Sequence, residues 1–347
     1  MRDPFVLLVG GRSTEYHDSL NSYFAVRNEI VSSSQYKRRL SAIYYISQTG
    51  KVRLHTHKIL PNSEVSLMSS GFSMSLIKMI SRLIHSQDYV FSLLHGNEGE
   101  DGSFQGISKT LGIPSNFGNI SSACITMSKW LMLLLAPSIS NDLIHCPKTW
   151  VVSSNSSDEE IKSILCELNE RPAVVKPNSL GSSILSRYFE PLTFEELKNQ
   201  IRLIRPYDNQ VLVQNYIVGT EYTCGVIGDK GKARALPVAE IRSQSRFFDY
   251  DEKHKNQSVE LLFPKGKSKE IEEMKRASMM LFTRIGLSYM GRFDFIRSSE
   301  DGKIYFLEAN SLPGLGVNSI FPRMLRQVNM SRLKLIDLCI TNYKYHK

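Results

Sequence analysis

The chain has 347 residues, 41% hydrophobic and 22% charged, with 43 Lys and Arg against 34 Asp and Glu for a formal net charge of +9. These proportions exclude a disordered or fibrous chain and allow two or three domains around sizeable cores. The basic residues are scattered in small groups such as residues 37–39 and 265–269, so they read as a solvated surface that attracts anionic nucleotides, and no nucleic-acid partner is expected.

Residues 5–9, Phe-Val-Leu-Leu-Val, run into Gly10-Gly11 as a buried parallel strand entering a tight turn; the run is too short for a signal peptide. A helix over residues 19–30, a strand over 42–46, a helix over 73–85 and a buried strand over 89–94 follow. This βαβ rhythm predicts an open parallel sheet in an N-terminal α/β domain, residues 1–118. From residue 119 the pattern becomes α+β: a helix over 123–135, then strands over 149–152 and 173–176 around an amphipathic helix at 158–169, in a second unit ending at 213. Strands over 211–215 and 221–227 lead into a third unit, residues 214–347. Its polar stretch 242–257 is too long for an ordinary connection and reads as a functional lid or a disordered segment. A helix over 270–285 and strands over 290–296 and 303–310, joined through Asp301-Gly302, complete the chain's elements. Residues 131–136 are too short to span a bilayer, so no membrane association and a cytoplasmic location are expected. The five cysteines are odd in number, widely spaced and without C-x-x-C spacing, and read as reduced thiols.

Chemistry concentrates in the last strand pair. Alternation puts Arg292 and Asp294 on one face and Glu308 and Asn310 on one face, and folding the hairpin brings those faces together. Two carboxylates and an amide oxygen suit Mg²⁺ bridging nucleotide phosphates, with Arg292 beside them to neutralise a phosphoryl group or an oxyanion; the plainer reading is a solvent-facing side with chance ion pairs. The turn Ser311-Leu312-Pro313-Gly314-Leu315-Gly316 either faces its N–H groups to a developing negative charge or is merely structural. Lys176 ends an apolar strand before Pro177, and residues 178–183 form a hydroxyl-rich loop that can cover phosphates or can be an ordinary surface turn. No G-x-x-x-x-G-K-[ST] or G-x-G-x-x-G motif is present, which disfavours a P-loop enzyme and a classical NAD enzyme. His95 to Gly102 follows a buried strand and carries three acids; helix capping explains Asp101 but leaves His95 and Glu100 over. Glu15 occupies the corresponding loop after the first strand.

Taken together, these segments resemble the D-alanyl-D-alanine ligases of the ATP-grasp superfamily from Val6 to Met330. The blocks that carry the likeness are Gly10 to Glu15, Leu94 to Gly96 with Glu100 to Gly102, Met127 to Lys129, Val175 to Pro177, Gly181 to Ser183, Gly219 to Thr223, Gly291 to Asp294, and Leu307 to Asn310 with Pro313-Gly314. The resemblance implies a three-domain ATP-grasp architecture and ATP-dependent formation of D-alanyl-D-alanine through an acylphosphate, for peptidoglycan precursors. It implies that Lys129 and Lys176 contact ATP phosphates under a loop containing Ser182 and Ser183, that Gln214 to Ile217 line the adenine pocket, and that Glu221 meets the ribose. Asp294, Glu308 and Asn310 are implied as ligands of Mg²⁺, with Mn²⁺ as a substitute. Glu15 is implied to take the first D-alanine's ammonium beside His95, Arg292 and the Gly314 amide to meet the oxyanion, and Lys253 and Ser319 to receive the second substrate's carboxylate. A homodimer through the first domain is also implied.

The chain departs from the family pattern at residues that bear on substrate choice. Lys253-His254 stands where Lys-Tyr is usual, Gln214 replaces a glutamate, Asp18 replaces an apolar residue, and no second glycine follows Ser182-Ser183. A D-alanyl-D-lactate, D-alanyl-D-serine or specialised dipeptide product is therefore the alternative.

Overall fold

A computed structural model describes residues 3–346 apart from 59, 154, 243–259, 265 and 267. Strands β1 (Phe5–Gly10), β2 (Leu40–Ile46), β3 (Val52–Thr56), β4 (Phe72–Met74) and β5 (Tyr89–Ser92) form a five-stranded sheet in the order β4-β3-β2-β1-β5. Pairing is parallel through β2-β1-β5 and antiparallel through β2-β3-β4. The N-terminal sheet is therefore mixed where a parallel one was expected. Residues 47–51, with Gly50 at φ +77°, reverse the chain in a tight turn, and a parallel return needs a crossover of a dozen residues or more. The period-2 alternation of β1 serves both faces: Phe5, Leu7 and Val9 pack with Tyr23 and Val26 of helix Tyr16–Val31, and Val6 and Leu8 pack with Met79 and Leu83 of helix Leu76–Ser86.

The expected helix over 123–135 is two helices, Ile120–Met127 and Lys129–Ile139, bent by 105°. Ser128 makes the corner. It is extended, φ −86° and ψ 105°, and its Oγ accepts the Leu131 N–H as an N-cap. This apolar stretch hides its own break, because residues that are hydrophobic all round show no change of period at the bend. The second helix starts against the 178–183 loop, with Lys129 N–H on the Asn178 carbonyl at 3.1 Å and Trp130 N–H on Asn178 Oδ1 at 2.8 Å. Among the described residues no single helix is long and apolar enough to cross a membrane.

β6 (Thr149–Ser153), β7 (Ala173–Pro177), β8 (Arg187–Phe189) and β9 (Gln210–Asn215) form an antiparallel sheet in the order β6-β9-β7-β8. Helices Asp158–Leu168 and Phe194–Ile204 bury Ile161, Leu168, Leu197 and Ile204 against it. The third sheet joins β10 (Gly219–Asp229), β11 (Lys232–Ala235), β12 (Ala239–Arg242), β13 (Glu260–Leu262), β14 (Met290–Ser298) and β15 (Ile304–Asn310) in the order β13-β12-β10-β14-β15, with β11 on β10. Helix Lys269–Ile285 covers it, and Met132, Leu133 and Ala136 of the bent pair share that core with Phe293, Phe295 and Phe306. The C-terminal helix Arg332–His346 returns to the first sheet's helices: Asp337 accepts from Tyr36 Oη and Arg39, both at 2.6 Å, and Arg332 pairs with Glu29 at 2.6 Å.

Candidate active site

The ends of β1, β5, β7 and β9, the 178–183 loop and the β14–β15 hairpin open on one cleft of about 870 Å³. Every expected site residue lines it except Lys253, which with His254 falls outside the described residues.

The hairpin forms one wall. In its register Arg292 faces Asn310 and Asp294 faces Glu308, with a bulge after Asp294. Arg292 grips Asp294 through two bonds, Nε to Oδ1 at 3.1 Å and Nη2 to Oδ2 at 2.8 Å. Burial opposes the guanidinium's charge, but Asp294, Glu308 and Glu100 outweigh it and hold its pKa above the ordinary arginine range. Thr223, opposite Asp294 on β10, donates its hydroxyl to Asp294 Oδ1 at 2.5 Å. Asn310 Oδ1 is buried and has no hydrogen-bond partner among the described residues. Leaving such an acceptor unmet costs about 1–3 kcal/mol, and a hard cation shared with the Asp294 and Glu308 carboxylates would meet it. Among the described residues no three His, Cys, Asp or Glu side chains group as a metal site, so the set depends on the Asn310 amide oxygen.

Two lysines stand opposite. Lys129 begins its helix, and its Nζ donates to the Leu180 carbonyl at 2.6 Å and lies 3.4 Å from Glu308 Oε2. Lys176 is buried near the end of β7. Between them the loop turns through Ser182 at φ +53° and Ser183 at φ +56°, left-handed positions that cost non-glycine residues of order 1–3 kcal/mol each. The loop is held across the cleft: Ser182 Oγ lies 2.8 Å from Asp18 Oδ2 and 3.2 Å from Glu15 Oε2, and a Cβ on Gly181 would overlap the Glu15 carboxylate.

Glu15 precedes helix Tyr16–Val31, its N–H bonded to Ser13 Oγ, which itself donates to the His95 carbonyl at 2.6 Å. Its carboxyl is pushed up to about 8, first by burial and then by the nearby Glu100 and Asp18, against the Ser182 bond and Lys129. Glu100 is also raised, mainly by burial, although His95 and the Gly96 and Leu312 N–H groups favour its charge. His95 Nδ1 faces the Leu312 carbonyl at 3.0 Å and must carry a hydrogen; Ser22 Oγ accepts the Leu315 N–H at 2.9 Å and lies 3.0 Å from Nε2. His95 and Glu100, which capping did not explain, thus pin the 311–316 turn that carries Gly314. Arg332 holds the turn's far side through the Leu315 and Gly316 carbonyls at 2.6 and 2.9 Å. Ser319, before helix Ile320–Gln327, sets its Oγ against Gly314 and Gly316.

At the other end Gln214, Ile217 and Glu221 line the cleft, and Gln214 Nε2 donates to Thr149 Oγ1 at 2.8 Å. Ser22, Thr149, Thr223 and Arg332 were missed in the sequence. Ser22 repeats the helical spacing of Glu15 and Asp18, and Thr223 shares a strand face with Glu221, so a signal existed for both.

Comparison with known proteins agrees with this geometry. The family profile "D-ala D-ala ligase N-terminus" matches residues 4–116 and "D-ala D-ala ligase C-terminus" matches residues 146–341. The D-alanine--D-alanine ligase of Fervidobacterium nodosum is 31% identical over 261 residues, 73% of this chain and 81% of that protein. The D-alanine--D-alanine ligase of Streptococcus mutans serotype c is 29% identical over 342 residues, 97% of this chain and 94% of that protein. Among solved structures, the VanG D-Ala:D-Ser ligase from Enterococcus faecalis superposes with a TM-score of 0.80 at 26% identity, covering 99% of this chain and all of that one. With both halves of the profile matched in order around a single cleft, the chain belongs to the D-alanyl-D-alanine ligase family.

Proposed function

We propose that this protein joins two D-alanines into D-alanyl-D-alanine with ATP, for peptidoglycan precursors. The observation that carries the reading is the wall where Asp294, Glu308 and the unpartnered Asn310 oxygen meet Arg292, across the cleft from Lys129. When bound there, Mg²⁺, or Mn²⁺ in its place, supplies positive charge against the nucleotide's phosphates. Lys129 and Lys176 add two cations to the same charge, and the Ser182–Ser183 loop covers it. Gln214 and Ile217 receive the base and Glu221 the ribose. Glu15, beside His95, holds the first D-alanine's ammonium. That cation replaces the proton which burial keeps on the empty carboxyl. Arg292 and the Gly314 N–H oppose the negative charge that develops when the second amino group attacks the acylphosphate. Ser319, with Lys253, receives the second carboxylate. A division into residues 1–118, 119–213 and 214–347, a homodimer through the first of these and a cytoplasmic location belong to the same reading.

Phosphate release from purified protein with Mg²⁺-ATP and D-alanine, set beside L-alanine, D-serine and D-lactate with products weighed by mass spectrometry, tests it. D-alanine-dependent release with D-alanyl-D-alanine formed is expected. Preference for D-serine or D-lactate as the second substrate would replace the dipeptide by the alternative product; D-serine has its own support in the likeness to a D-Ala:D-Ser ligase. ATP binding without turnover on any of these would overturn the proposal.

A further inference from the structure

We infer that Thr149, which does not itself line the cleft, positions Gln214 so that the nucleotide end selects a base bearing an exocyclic amine and rejects a 6-oxo base. The inference rests on the ATP-dependent reading above and goes beyond it by assigning the residue that sets base choice. β9 runs between β6 and β7, so that Gln214 has Thr149 directly across on one side and Val174 on the other. Thr149 Oγ1 donates to the Pro147 carbonyl at 2.8 Å. A hydroxyl has one hydrogen, so toward Gln214 it can only accept, and Gln214 Nε2 donates to it at 2.8 Å. Both contacts are satisfied together in one orientation of the amide alone. The NH₂ is turned to Thr149, and Oε1 is left as an acceptor.

Gln214 is 3% exposed, and its Oε1 has no hydrogen-bond partner among the described residues. That acceptor suits an N–H of an exocyclic amine such as that of adenine. A 6-oxo base would set a carbonyl oxygen against the Gln214 oxygen and leave both without a donor. A glutamine side chain has nearly the same shape when turned over. Without Thr149 the amide can therefore present its NH₂ to a 6-oxo base, and the distinction is lost. A glutamate at 214 has no donor to present in either orientation, so discrimination with that residue does not depend on Thr149.

The test is the ratio of kcat/KM for ATP over inosine triphosphate, which keeps the ribose and phosphates but carries the 6-oxo group, in D-alanine-dependent phosphate release by the full chain. Thr149→Val is expected to lower the ratio about ten-fold, the effect of one buried hydrogen bond exchanged for a mismatch, with the KM for D-alanine unchanged. Thr149→Ser keeps the hydroxyl and keeps the ratio. In a Gln214→Glu background, Thr149→Val leaves the ratio where Gln214→Glu alone puts it. An unchanged ratio in Thr149→Val, or an equal fall in both backgrounds, would overturn the inference, since the second result is what loose packing predicts. Should Thr149→Val fail to fold, Thr149→Ala carries the same expectation. If no variant and no wild-type protein turns over ATP with D-alanine, the ligase reading fails separately. Displacement of a fluorescent ATP analogue by ATP and by inosine triphosphate then decides the base inference directly, with an equal affinity for the two in wild type overturning it.

Discussion

Glu15→Gln isolates a buried and strongly perturbed acid of the cleft. Glu15 is 8% exposed, and its carboxyl stands at about 8 against an ordinary 4.5, first because burial disfavours the charge and then because Glu100 and Asp18 repel it. The native protein keeps this proton between about pH 4.5 and pH 8, while the unfolded chain has released it. Native protein therefore binds more protons in that window, and stability falls as pH rises through it, levelling below 4.5 and above 8. At 1.36 kcal/mol per pH unit the full displacement corresponds to roughly 5 kcal/mol, an order-of-magnitude ceiling for this one group. Glutamine keeps the size and removes the titration. Urea denaturation at pH 5, 6.5 and 8.5 without ligand should show a stability difference between Glu15→Gln and wild type that shifts in favour of the variant by several kcal/mol as pH rises. Saturating D-alanine should reduce the shift, since its ammonium favours the ionised carboxylate, and its binding at pH 7 should release a proton, read as a buffer-dependent heat. A stability difference that stays constant with pH would refute the placement of Glu15 as a buried acid held protonated by its neighbours.

Three further outcomes follow from the same geometry. Asn310→Ala removes the unpartnered oxygen and should raise the Mg²⁺ concentration for half-maximal phosphate release about ten-fold or more; an unchanged Mg²⁺ titration would remove Asn310 from the ligand set. Thr223→Val deprives Asp294 of its 2.5 Å hydroxyl donor and should cost about 1.5–3 kcal/mol in urea denaturation, the usual range for a hydrogen bond to a charged group. Gly181→Ala puts a methyl into the Glu15 carboxylate and should raise the KM for D-alanine at least ten-fold; ATP affinity, measured by analogue displacement, should change far less, and an equal loss of both would mean that the whole loop has moved.

The cleft's strand-borne chemistry was legible wherever local period governs it. Alternation puts Arg292 with Asp294, and Glu308 with Asn310, on one face of each strand, but the bulge after Asp294 is what joins the two faces into one wall, since unbroken pairing outward from Asp301-Gly302 would set Asp294 opposite Leu307. Period fails at residues 120–139, where uniform hydrophobicity conceals a 105° bend, and at β3 and β4, where short strands beside a tight turn interrupt the parallel rhythm. Thr149 and Thr223 read as ordinary strand threonines until β6 and β10 find their partners.

Helix faces, caps and the loop lysine are determined by the order of side chains alone, since each depends on neighbours within a few residues. Only the tertiary structure decides the charge on Glu15, the hydrogen on His95 Nδ1, the orientation of the Gln214 amide and the unmet oxygen of Asn310. His95 takes its partners from Ser22 and Leu312, 73 and 217 residues away, and Glu15 is raised by a burial that arises only when the loops after β1, β5 and β7 close on one another. Proton positions and amide orientations depend on which donors and acceptors share a dry space, and that is settled by packing between distant segments.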